Sequence, residues 1–267
     1  MSLKTEIESP HSPLRQVMAV LNLRPAMADI RAQLAGADVI DVPAEAGRDV
    51  VGHAVSEALV WGIAGSWRFA GGRIPQGRGL TDLCEALADA PTADADRNAR
   101  LSWLAGLLDR LNRPGADLSH PEFAPFEVLD DLEAAIAAVP AGGAALVTQL
   151  VERCEGVTAQ LRKRQPRLQA PTFAGSVAVG GGDGDLICAQ SLIEFKAVAE
   201  PSTKHLRQLI GYTLIDWDNQ YALDQVALLY VRHGRLITWR VDELFPLMGG
   251  HQVTLQSLRD ATRKAYA

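Results

Sequence analysis

Apolar residues recur at helical spacing through most of the first 165 positions. Residues 14–35 carry them at 14, 17, 18, 21 and 34, which predicts a helix with a break near Pro25. A second, mostly apolar helix is expected at 50–63; it contains His53 and Glu57. Helices follow at 81–90 and 95–111, the latter with Leu101, Leu104, Leu107, Leu108 and Leu111 in helical register. Between them, residues 65–80 are rich in Gly and Arg and predict a loop or short hairpin. A loop with Pro and Gly at 112–125 leads to helices at 126–138 and 143–164, stopped by Pro166.

The texture changes at Pro171. Strands are expected at 173–179, 185–188 and 192–198, with the Gly-rich stretch 180–184 as a turn between the first two. A helix over 204–217 is followed by a hairpin, 226–232 and 235–241, around His233-Gly234, and by a last helix at 254–265. The fold class is therefore α/β, with a mainly helical region at 1–165 and a mixed domain at 171–267.

The composition is that of a folded chain: 267 residues, 48% hydrophobic and 22% charged, with net charge −6. No apolar run reaches the roughly 18–20 residues that span a bilayer. The first residues (Lys4, Glu6, Glu8, Pro10) lack the order of a signal peptide, so a cytoplasmic protein without a membrane partner is expected. Cys84, Cys154 and Cys188 are far apart and form no CxxC pair, which excludes a four-thiolate zinc or iron–sulfur site within the chain. No HExxH, GxSxG or GxxxxGK[ST] pattern occurs, which argues against a zinc hydrolase, an esterase elbow and a built-in ATP-driven motor. The acidity is unevenly placed. Residues 1–150 carry 12 basic and 20 acidic side chains, 151–170 carry 5 and 2, and 171–267 carry 9 and 10. The one dense basic run is Arg162, Lys163, Arg164 and Arg167.

The chemistry concentrates in residues 183–197. With a turn centred on Ala189-Gln190, Asp185 lies across from Glu194 and Asp183 across from Lys196, all on one face of the hairpin. Adjacent carboxylates raise each other's pKa, and a divalent cation with hard-oxygen preference, such as Mg²⁺ or Mn²⁺, removes that cost. Such a cation activates water, and a neighbouring lysine stabilises a phosphoryl transition state. Lys196 is the only one of five lysines with an acid two residues before it, and it lies inside an apolar strand, Leu192 to Val198. Twelve residues on, Gln208 and Tyr212 are one helical turn apart and share a face.

Asp185, Glu194-x-Lys196 and Gln208-x-x-x-Tyr212 together resemble the PD-(D/E)XK nuclease superfamily, and within it the RecB-type branch with a QxxxY helix. The resemblance covers roughly residues 173–241. It implies a restriction-endonuclease-like αβββαβ core and hydrolysis of phosphodiester bonds, in DNA before RNA, by a Mg-activated water. It further implies Asp185, Glu194 and the main-chain carbonyl of Phe195 as metal ligands and Lys196 as catalytic lysine. Gln208 and Tyr212 become active-site support or DNA contacts; Asp183 has no fixed counterpart in the family and is read as an outer residue. Gly52 to Glu57 is similar to the helix that precedes the first strand in that branch, which adds Glu57, on a first core helix at about 49–64, to the metal set. Residues 65–165 are then an insertion in one nuclease fold; otherwise the N-terminal half is a separate helical domain. Nucleic-acid binding is expected through the 162–167 run and the 65–80 loop, where Trp67 and Phe69, with Trp61 just before, stand near Arg68, Arg73 and Arg78. A partner protein supplying specificity or motor activity and a homodimer are both open. The competing reading is a non-catalytic nucleic-acid- or protein-binding module on a nuclease scaffold.

Overall fold

The computed structural model describes residues 3–43, 47–67, 80–89, 92–111, 117–128 and 131–267. It is a mixed α/β protein that divides into two compact units: residues 1–38 with 164–267, and residues 39–163.

The first unit holds a five-stranded mixed sheet. Its strands β1 (Arg167–Gln169), β2 (Leu186–Cys188), β3 (Ser191–Lys196), β4 (Gln225–Tyr230) and β5 (Arg235–Arg240) lie side by side in chain order. All neighbours are antiparallel except β3 and β4, which run parallel and are joined through helix α10 (Thr203–Ile215). A parallel pair needs such a crossover. β3 is buried on both faces from Ser191 to Phe195, as befits the central strand. The turn at Ala189-Gln190 pairs Cys188 with Ser191 and Leu186 with Ile193, the register expected from the sequence. Helix α10 starts sharply. The Ser202 hydroxyl accepts from the Lys204 amide, and His205 returns the capping bond to the Ser202 amide.

Three expectations are corrected here. The domain boundary at 165–171 misses the first 38 residues, which pack with the sheet. Helices α1 (Leu3–Glu8), α2 (Pro13–Val17) and α3 (Arg24–Leu34) are too short to enclose a core of their own. Together with the 3-10 turn Met18–Val20, they bury Leu3, Ile7, Leu14, Met18, Met27 and Ile30 in the sheet-bearing unit's core instead. The Leu3 amide donates to the Gly181 carbonyl, and Trp239 Nε1 on β5 donates to Asp29 on α3 at 2.7 Å. Second, 173–179 is not a strand. Residues 174–180 form a run of turns, closed by Ser176 N to Phe173 O, Val179 N to Gly175 O and Gly180 N to Val177 O, with the Ser176 hydroxyl donating to Gly182 O. The first strand is instead β1, which begins at Arg167, the last residue of the basic run. Third, Asp183 does not join the hairpin face: it is exposed and bridged to Thr172. The β2–β3 ladder ends at Leu186, and the chain before it turns toward the β1 side through Gly184 N to Pro171 O and Ala170 N to Asp185 O.

The rest of the sheet-bearing unit is α11 (Val241–Gly249), which no apolar period predicted, and α12 (Leu255–Ala265). α12 anchors through a buried pair, Arg259 to Asp216 at 2.8 Å, with Arg259 Nε also donating to Thr213 O.

The second unit is helical: α4 (Arg48–Ala64), α5 (Leu80–Asp89), α6 (Ala95–Leu111), a 3-10 segment (Pro121–Val128), α7 (Leu132–Ala138), α8 (Ala141–Arg153) and α9 (Glu155–Leu161). The single helix expected at 143–164 is broken at Cys154. α4 and α6 approach closely at Gly106, where a Cβ would stand 2.6 Å from Ala54 N. Glu57 is fully buried on α4, and His53 Nδ1 pairs with Asp109 at 2.7 Å. Trp67 is also buried, with its indole donating to Leu87 O, so it is a core residue and not a platform for bases. Residues 68–79 of the Gly/Arg loop lie outside the described residues. Among the described residues, no single helix is long and apolar enough to cross a membrane.

Candidate active site

The site is built on the ends of β2 and β3 and one face of α10. Beyond the last ladder pair, Asp185 and Glu194 continue the register by other means. The Asp185 amide donates to Glu194 Oε1 at 3.0 Å, and Asp185 Oδ2 accepts from the Phe195 amide at 2.7 Å. Each carboxylate thus takes the place of a ladder carbonyl. Gly184 leaves the space this needs: a Cβ there would meet Leu192 at 3.1 Å and Pro171 at 3.2 Å, with Glu194 Oε1 just behind.

Both acids are buried, Asp185 at 8% exposure and Glu194 at 1%. Burial, and then the Asp185 charge, push the Glu194 carboxyl up to about 7. Lys196 opposes this by donating to Glu194 Oε2 at 3.1 Å. The ammonium also donates to Gln208 Oε1 at 2.8 Å, and Gln208 Nε2 donates to Tyr212 OH at 3.2 Å. These bonds fix the amide's orientation and link β3 to α10 through side chains. Burial, with Glu194 nearby, holds the Tyr212 phenol well above its ordinary range, so it remains protonated. Asp183 contributes only its charge to that shift. His205, one turn before Gln208, is pushed down to about 4 by burial and by Lys196 and Lys204, and is neutral.

Asp185, Glu194, Lys196, Gln208 and Tyr212 are therefore brought together in one connected cluster, with Phe195 between the acid and the lysine on β3. Glu57 belongs to the helical unit and is described with it. No group of three or more His, Cys, Asp or Glu side chains with metal-site geometry occurs among the described residues. The donor set here is two carboxylates. It fits Mg²⁺, which binds through one or two carboxylates and keeps several waters. Their oxygens already accept hydrogen bonds, but each retains a second lone pair. The net charge of two acids and one lysine is what a divalent ion would offset.

Two residues of the basic run bond within the chain. Arg162 pairs with Glu155 at 2.9 Å and donates to Gly62 O, while Arg164 donates to Ser191 and Gln225. Sequence reasoning missed a different basic feature, Arg15, Arg24, Arg31 and Arg207 around one cleft. Nothing in the linear pattern links positions so far apart.

No family model matches the chain, and neither does any curated protein or solved structure.

Proposed function

We propose that this chain is a metal-dependent nuclease of the PD-(D/E)XK type, with a restriction-endonuclease-like core, that hydrolyses phosphodiester bonds, most readily in DNA. The observation that supports this reading best is the connected chain Asp185, Glu194, Lys196, Gln208 and Tyr212 at the end of a buried central strand. A structural core has no need of two desolvated carboxylates and an ammonium at that depth. Asp185, Glu194 and the Phe195 carbonyl would hold Mg²⁺ or Mn²⁺. The ion would lower the pKa of a bound water and steady charge on the phosphoryl oxygens.

The chain's own groups divide the remaining tasks. Lys196, held from two sides by Glu194 and Gln208, presents a fixed positive charge to the phosphate or to the attacking water. Gln208 positions that ammonium, and Tyr212, a neutral phenol, orients Gln208. His205, neutral, adds no further positive charge beside Lys196.

The charge balance no longer argues against a polyanionic substrate. The sheet-bearing unit has 15 basic and 14 acidic side chains, while the helical unit has 11 and 18. Calorimetric titration with Mn²⁺ separates this reading from a non-catalytic binding module. The nuclease binds the ion, and Asp185→Asn and Glu194→Gln each abolish binding. A module shows no ion binding that depends on those two residues.

A further inference from the structure

Helices α2 and α3 and the first turns of α10 surround an open cleft of about 810 Å³. Arg15, Arg24, Arg31 and Arg207 line it, and no carboxylate does. Among the described residues, none of the four guanidinium groups has a hydrogen-bond or ion-pair partner. Arg207 Nε is shut off from solvent and still makes no bond. Arginines elsewhere are used differently: Arg100, Arg240, Arg259 and Arg263 each meet an Asp within 3.2 Å. Burial and the nearby charge of Arg15 both push the Arg207 guanidinium down, so the two cations repel one another across the cleft. An arrangement that costs stability and satisfies no protein group is that of a site awaiting an anion.

We propose that this cleft grips the phosphodiester backbone of a nucleic-acid strand. Four guanidiniums exceed what a single phosphate neutralises and suit several phosphates in succession. The floor between them is apolar, with Met18, Leu23 and Met27, which suits sugars and bases and not a fully hydrated ion. The cleft and the candidate active site share a helix. Thr203 and Arg207 of α10 line the cleft, and Gln208 and Tyr212 of the same helix reach the active site. The inference rests on the reading of the substrate as nucleic acid.

The test is fluorescence anisotropy with labelled single-stranded and duplex oligonucleotides, using the whole chain in EDTA so that nothing is cut. The Arg15→Gln/Arg207→Gln variant should bind at least about tenfold more weakly, with a salt dependence shallower by roughly 0.7 to 0.9 for each phosphate no longer neutralised. Its melting temperature should equal or exceed that of the wild type, since a repulsion is removed; a merely structural arginine pair would lower it. Arg24→Gln/Arg31→Gln, at exposed positions, gives a second series free of folding effects. Unchanged affinity and salt slope in the fourfold variant overturn the proposal. So does arginine-dependent binding to anionic phospholipid vesicles with none to oligonucleotides. If the fourfold variant cuts with unaltered KM, the cleft is wrong and the nuclease reading stands. Arginine-dependent oligonucleotide binding by a chain that never cuts supports the cleft and removes the hydrolytic reading.

Discussion

The ammonium of Lys196 lies 2.8 Å from the amide oxygen of Gln208, so the last residue of the central strand is held by the helix that leads to the next strand. This bond makes the position of the charge depend on both elements. Gln208→Ala should lower kcat about 10- to 100-fold with a small change in KM, because the lost bond serves the transition state more than binding. Steady-state kinetics on a labelled oligonucleotide measure both. An equal rise in KM with unchanged kcat would place Gln208 in substrate binding instead.

Tyr212 acts through Gln208 in this account. Tyr212→Phe should therefore cost about tenfold in kcat, and the double variant with Gln208→Ala no more than Gln208→Ala alone. Additive losses would mean that Tyr212 works independently of the amide.

His205 makes stability depend on pH. Its folded-state value of about 4 lies below the ordinary 6.5, since burial and two lysines disfavour the imidazolium, and Nδ1 is needed as acceptor for the Ser202 amide. A depressed histidine contributes its full stability above 6.5 and loses it as pH falls from 6.5 toward 4. On the order of 1–2 kcal/mol should disappear between pH 7 and 5. His205→Gln keeps a side chain able to close the capping box and should flatten this loss in thermal unfolding. Parallel curves for the two proteins would contradict the assignment.

Gly106 tests the helical unit. A Cβ at this position would collide with the backbone of Ala54 and His53 at 2.6–2.9 Å, which no rotamer relieves. Gly106→Ala should destabilise the protein by about 1–3 kcal/mol by overpacking α4 against α6. Denaturant unfolding gives the value, and a neutral or stabilising result would refute the close approach.

Much of the site was legible because a hairpin's register follows from its turn. Once Ala189-Gln190 is the turn, Asp185 must face Glu194. The apolar run around Glu194 marked the central strand, and the spacing of Gln208 and Tyr212 marked one helix face. Asp183 broke the rule, since the ladder ends before it and the chain leaves toward Thr172. β1 is three half-polar residues whose pairing with β2 no apolar period announces. The partner of the N-terminal helices was equally hidden: Leu3, Ile7 and Met18 mark amphipathic faces but not what those faces cover. The arginine cleft was illegible for the same reason, being assembled from helices α2, α3 and α10 that are distant in sequence.

We propose that Asp185, Glu194 and Lys196 cut phosphodiester bonds with a divalent ion. The most direct measurement is a cleavage assay of labelled single- and double-stranded DNA and RNA with Mg²⁺ or Mn²⁺, comparing the wild type with Lys196→Ala. The wild type should cleave, and EDTA should stop it. Lys196→Ala should lose at least about 100-fold in rate, with oligonucleotide affinity retained. A wild-type protein that is folded and cuts none of these substrates with either ion, or a Lys196→Ala variant that cuts as fast as wild type, would contradict the proposal.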